Sequence, residues 1–167
     1  MFILVFFPIL IIFLIIGYLV YMGAFLPIEI EEKTVGPFHF IYKEINGKDY
    51  SLIGKTTKEI SETLQKYNFS KQKPMQIFFP DDYSNLAQVG LIVEEKIGDL
   101  PNVQSKTLEA TLSMTTTFPW RNSYSFIFGF MKIDPALQNF RKSKNYKKTE
   151  VIVLLNEDTI HYIQPIK

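Results

Sequence analysis

The hydrophobic pattern opens with a run that has no periodicity. From Phe2 to Met22 the residues are apolar, Gly, Pro or Tyr, and none is charged. A helix of that length, rising about 1.5 Å per residue, matches the roughly 30 Å hydrocarbon core of a bilayer. Residues 1–22 are therefore expected to form a single transmembrane helix. A cleavable secretory signal is the rival, but the run has no basic start and exceeds the usual 7–15 apolar residues, and Gly23-Ala24-Phe25 is a poor cleavage site. Tyr18 and Tyr21 would suit a membrane interface. Residues 23–34 read as a short juxtamembrane connector, where Glu29, Glu31 and Glu32 around Lys33 give the positive-inside rule nothing to count.

Beyond the connector the pattern becomes periodic. Val35 to Ile45 alternates, with Phe38, Phe40 and Tyr42 on one side and His39, Ile41 and Lys43 on the other, which predicts a strand closed by a turn at Asn46-Gly47. Ile60, Leu64 and Tyr67 recur at helical spacing and predict a helix from Thr56 or Thr57 to Tyr67. Pro74–Phe79 and Gln88–Lys96 follow as strands. The pattern then restarts: strand signals at 103–106 and 107–118, helical signals over 122–144 broken at Asp134-Pro135, and a closing hairpin of 150–155 and 159–165 around Asn156-Glu157-Asp158. Two β-α-β-β halves in one domain, residues 35–167, suggest an internal duplication. The fold class is α+β.

Composition narrows the chemistry. The net charge is +1, which gives no electrostatic case for nucleic acid, and no nucleic-acid partner is expected. The absence of cysteine removes disulfides, thiolate metal sites and a Cys nucleophile. His39 and His161 are the two histidines, each in a predicted strand with no second ligand at metal spacing. No phosphate-cradling Gly loop and no Gly-x-Ser-x-Gly occur. The expectation is a chain that is not an enzyme, with no metal and no cofactor. One charge cluster stands out: Arg141, Lys142, Lys144, Lys147 and Lys148 at a helix C-terminus. It reads either as a solvated helix end that suits the macrodipole or as a contact for anionic lipid headgroups, worth about 1 kcal/mol per charge near the surface.

Several stretches together carry a resemblance. Thr117-Phe118-Pro119-Trp120, Asp134-Pro135-Ala136-Leu137 and Asn156-Glu157-Asp158-Thr159-Ile160-His161-Tyr162, with a final Pro165-Ile166, are similar to the gyrase-inhibitor-like (GyrI-like) domain. The first half agrees more loosely, through Phe40-Ile41-Tyr42-Lys43 and Ile77 to Asp82 followed by Val89-Gly90. The chain looks closest to the membrane-anchored branch of the testis-expressed ER-phagy receptor. The resemblance implies two halves around a concave, aromatic-lined cleft, with Tyr42, Phe118, Trp120 and Tyr124 as its candidate lining. In bacterial relatives such a cleft holds cationic or hydrophobic small molecules with the help of a strand glutamate. That glutamate aligns with Val153, so the counter-charge is missing here. Receptors of this kind also carry a short aromatic-x-x-aliphatic docking motif, for which Tyr83 and Leu86, behind Asp81-Asp82, are the candidates.

Three functional readings follow. The first is a non-catalytic GyrI-like interaction module, held in a membrane by residues 2–22 as an accessory subunit of a larger complex, for example a respiratory complex of a divergent eukaryote. The mitochondrial inner membrane or the endoplasmic reticulum membrane would house it, with lipid and other membrane-protein subunits as partners. The second is an ER-phagy receptor-like adaptor. The third is a small-molecule-binding sensor domain.

Overall fold

The computed structural model describes the chain except residues 1, 48, 50, 70, 71, 81–85, 96 and 99, and except the side chains of residues 2–8. Among these residues it is an α+β protein of eight strands and three helices. All strands join one curled antiparallel sheet in the order β1-β6-β8-β7-β3-β4-β2-β5. The core of each half is a β-α-β-β unit. The first comprises β2 (Phe38–Asn46), α2 (Ser51–Lys66), β3 (Gln72–Phe78) and β4 (Leu86–Val93); the second comprises β6 (Thr111–Pro119), α3 (Ser123–Ser143), β7 (Val151–Asn156) and β8 (Thr159–Pro165).

The halves meet where β3 pairs with β7, from Met75↔Leu154 to Phe78↔Val151. They also exchange arms. β1 (Glu31–Val35), which leads into β2, pairs with β6 of the second half, and β5 (Gln104–Leu108), which leads into β6, pairs with β2 of the first. The two linkers cross in contact: Gly36, at φ +108, lies so close to Ala110 that a Cβ would stand 3.1 Å from the Ala110 Cα. Only glycine adopts that backbone freely.

Period-2 alternation divides the sheet into a helix-covered face and a concave face. On the covered face, Ile133 and Leu137 of α3 pack on Met114, Phe118, Val153, Ile160 and Tyr162 of the sheet. Ile60 and Leu64 of α2 pack on Ile41, Leu91, Val93 and Ile97. The concave face gathers Phe40, Tyr42, Met75, Ile77, Ile152 and Ile163.

Local chemistry explains the helix bounds. α2 starts earlier than its apolar spacing indicates because the Asp49 carboxylate accepts from the Ser51 N–H at 3.1 Å and caps the first turn. α3 begins at an Asn122 capping box, in which Asn122 Oδ1 accepts from the Tyr124 N–H and Ser125 Oγ from the Asn122 N–H. It buries Ser125, Gly129, Ile133 and Leu137 at four-residue spacing. The expected break at Asp134-Pro135 does not occur: Pro135 is inside a continuous helix. Asp134 caps nothing there and accepts from Gln138 Nε2 at 2.6 Å.

The N-terminal expectation is corrected. α1 spans Phe2–Tyr21, yet among the described residues no helix is long and apolar enough to cross a membrane. Uniform apolarity, the sole basis for the anchor, does not say where a helix ends up. The transmembrane helix of the expected fold class falls, and with it the lipid partnership of residues 2–22 and the single-pass localisation in a mitochondrial or endoplasmic reticulum membrane. What the structure does show is the root of α1 built into the domain. Met22 is fully buried. Lys132 Nζ donates to the carbonyls of Gly23, Ala24 and Leu26 at 3.3, 2.8 and 2.6 Å, which ties the turn that follows α1 to α3. Residues 31–34, read as connector, and Val35, read as the start of the next strand, form the edge strand β1.

Two glycines provide opposite tests of this packing. A Cβ at Gly90 would sit 1.8 Å from the Ile41 carbonyl oxygen, whereas at Gly54, inside α2, it would meet nothing within 4 Å. Gly90→Ala is expected to lower the unfolding free energy by about 3 kcal/mol or more, and Gly54→Ala to raise it by about 0.5–1 kcal/mol, both read from urea denaturation midpoints.

Candidate functional site

The residues singled out in the sequence do not converge. Tyr42 lies on the concave face. Phe118 and Val153 are buried on the opposite face, in the core under α3. Trp120 packs at the margin of that core, its backbone N–H donating to the Asp158 carbonyl at 2.7 Å. Tyr124 is exposed on α3. The β7 side chains on the concave face are Ile152 and Leu154, so β7 presents no carboxylate there. Tyr83 lies outside the described residues, and Leu86 opens β4 opposite Asn46.

The basic cluster divides. Lys144 pairs with Glu32 at 3.6 Å and stands 5.6 Å from the Phe140 ring centroid. Lys147 donates its backbone N–H to the Lys167 carbonyl, and Lys142 is exposed. Arg141 and Lys148 instead line a cavity of about 380 Å³ between the C-terminal half of α3 and the ends of β3 and β7. Its apolar wall comprises Phe78, Phe130, Val151 and Leu86; Asp134, Gln138 and Thr149 add polar groups. Phe78 and Phe130 meet edge to face at 6.3 Å, a stable aromatic arrangement. Arg141 Nη1 donates to the Tyr146 carbonyl at 3.2 Å, which holds the guanidinium at the rim. No spacing in the sequence announces this cavity, because it is assembled from α3, the end of β3 and the approach to β7.

The concave face is closed by its own side chains. Phe40 and Met75 are fully buried and Ile77 nearly so. Phe40 and Tyr42 stack, with centroids 5.2 Å apart and planes 13° from parallel. Against these rings lies Lys106 of β5, opposite Phe40 in the β2–β5 ladder. Burial lowers the Lys106 pKa from its usual value, with Glu150 and Glu44 opposing the shift. The same burial, followed by Glu44, raises the Tyr42 phenol. On the other face Tyr162 is pushed up by burial alone; its hydroxyl donates to the Phe126 carbonyl at 3.4 Å. Among the described residues, no three His, Cys, Asp or Glu are grouped to hold a metal ion.

No protein-family model matches the chain, and no curated protein sequence does. Solved structures do. The crystal structure of the EcmrR C-terminal domain matches with a TM-score of 0.62 at 10% identity, over 85% of this chain and 99% of that one. The cryo-EM structure of an EcmrR–DNA complex matches with a TM-score of 0.67 at 11% identity, over 92% of this chain and 63% of the longer EcmrR chain. SAV2435 bound to tetraphenylphosphonium matches with a TM-score of 0.58 at 8% identity, over 83% and 94%. At such identities the likeness speaks for the fold alone, and the fold is GyrI-like. The membrane accessory-subunit reading has lost its anchor and gains nothing from these neighbours. The expectation that nucleic acid plays no part is also corrected, since a protein sharing the fold is seen on DNA.

His161 provides a pH test of the curled sheet. Burial, then Lys33 and Lys73, lower its pKa from the ordinary 6.5. The fold thus favours the neutral ring, and the unfolded chain binds more protons between the folded midpoint and 6.5. Unfolding free energy is expected to fall as pH drops below about 6.5, and His161→Gln to flatten that slope. An NMR titration should place the His161 midpoint below that of the unfolded chain.

Proposed function

We propose that this chain is a small-molecule-binding domain of GyrI-like fold, acting by binding and not by catalysis. One observation carries the reading: the cavity of about 380 Å³ beneath α3, with phenylalanines on its wall and Arg141 and Lys148 at its rim. That volume falls within the roughly 300–1,000 Å³ of small-ligand sites, which are mostly apolar with a few polar groups for orientation. An aromatic wall beside two cations fits a hydrophobic molecule bearing an acidic group, its ring against Phe78 and Phe130 and its acid toward the guanidinium. SAV2435, of the same fold, is bound to a hydrophobic ion of the opposite sign; here Arg141 and Lys148 outnumber the one lining carboxylate, Asp134, and favour an anion. The ER-phagy branch of the resemblance gains no support from the neighbours, and its candidate Leu86 forms part of this cavity wall.

Anilinonaphthalene sulfonate is a suitable first probe, because it is aromatic, acidic and fluorescent when desolvated. Saturable binding to the folded protein is expected, weakened about tenfold, or about 1.4 kcal/mol, in Arg141→Ala and Lys148→Ala. Equal affinity in both variants would remove the reading.

A further inference from the structure

The wall of the cavity under α3 that favours an acid through Arg141 and Lys148 also contains a carboxylate, that of Asp134. Among the described residues Asp134 forms no ion pair with either cation. Its hydrogen-bond partner there is Gln138, whose Nε2 donates to the Asp134 Oδ2. A plain anion entering the cavity meets Asp134 as a like charge, which costs affinity. The carboxylate helps only a ligand that brings a positive group along with its negative one.

Spacing along α3 puts these groups in order. Phe130, Asp134, Gln138 and Arg141 all line the cavity, and steps of three and four residues place them in one stripe on the helix, about 16 Å from first to last. Phe78 joins the Phe130 end through their edge-to-face contact. The segment that carries Lys148 is held to the Arg141 end through the Tyr146 carbonyl. From the N-terminal end the stripe therefore presents rings, a carboxylate, an amide and a guanidinium. Opposite it the wall is fixed by its own hydrogen bonds: Gln164 Nε2 donates to the Thr149 carbonyl at 3.0 Å, and Thr149 Oγ1 donates to the Pro165 carbonyl at 2.6 Å. Groups held in place before a ligand arrives cost little to order on binding.

Asp134 and Arg141 lie seven residues apart, about 10 Å along the helix axis. A single amino acid has both its charges on one Cα and spans this gap poorly. One further residue adds about 3.5 Å and puts a peptide group level with Gln138, whose Oε1 is an acceptor for the peptide N–H.

We infer that the cavity takes a short peptide with free ends and an aromatic first residue: its ring against Phe78 and Phe130, its ammonium at Asp134 and its carboxylate at Arg141 and Lys148. Asp134 is then the specificity-determining residue, favouring such a peptide over an aromatic acid without an amine. The inference rests on the cavity being the ligand site, and adds which class of acid enters it.

The test uses the full chain with phenylalanylalanine as probe and phenylpropionylalanine, the same molecule without its amino group, as control, both titrated by calorimetry at neutral pH. The wild type should bind the dipeptide about tenfold more tightly, the contribution expected of a hydrogen bond between charged groups. That advantage should fade as the pH rises past about 8, where an α-amino group loses its proton. In Asp134→Asn the dipeptide should weaken about tenfold and the control should tighten, so that the preference disappears. Equal affinities in the wild type, a comparison that needs no variant to fold, would overturn the inference, as would a preference retained in Asp134→Asn. Failure of anilinonaphthalene sulfonate to bind would remove the cavity itself as the ligand site. Sulfonate binding that depends on Arg141 and Lys148, without a preference for the dipeptide, would remove this inference alone.

Discussion

The structure depends on the ladder between β3 and β7. Four paired positions, Met75 to Phe78 against Leu154 to Val151, turn two β-α-β-β units into one sheet. Each unit alone would leave a central strand with an open edge, and an unpaired edge holds a row of unsatisfied backbone groups. Arm exchange reinforces the joint, since β1 and β5 each pair with the half opposite to the one they lead into. Neither half has a complete sheet without the other, so the pairing and the exchanged arms favour cooperative folding as one unit.

Because the ladder is continuous, the two faces are continuous as well, and they serve different ends. The covered face is given to packing: α3 approaches β6 and β8 so closely at Gly129 that a Cβ there would lie 2.6 Å from the Tyr162 hydroxyl. The helix thereby leaves room for a cavity only near its C-terminal end. The concave face is small and curled, and it fills with Phe40, Met75, Ile77 and their neighbours. Its polar groups come from edge and interior strands alike: Lys106 from β5, and Gln88, which accepts from it, from β4. Phe79, just past the end of β3, stands where the two faces meet.

What the sequence revealed and what it hid divide along physical lines. Alternation in β2 and the four-residue apolar spacing of α2 are local, and both were legible. β1 was not, because Glu31-Glu32-Lys33-Thr34 carries no apolar alternation, and its partner lies some eighty residues away at Ser113 to Thr115. The end of α2 was visible but its start was not, since Asp49 acts through one hydrogen bond and not through periodicity. Val153 shows how sharply strand parity decides: its neighbours Ile152 and Leu154 face the concavity while it faces α3, and a shift of one residue exchanges the faces. The neighbours of the Lys106 ammonium come from β2, the end of β3 and Gln88 of β4, and no single segment contains their spacing. As for α1, apolar residues identify a helix without telling whether lipid or protein receives it.

The strands at the two ends of the sheet carry a further consequence. β1 and β5 have free edges, and their sequences, Glu31-Glu32-Lys33-Thr34 and Gln104-Ser105-Lys106-Thr107, are polar and short. Charged, brief borders discourage another strand from adding on, because an incoming copy would bring like charges together and bury lysine and glutamate for little apolar contact. The sheet is therefore finite by composition at both margins. Association with other molecules is left to side chains on the helices and in the concavities, and not to backbone extension into fibres.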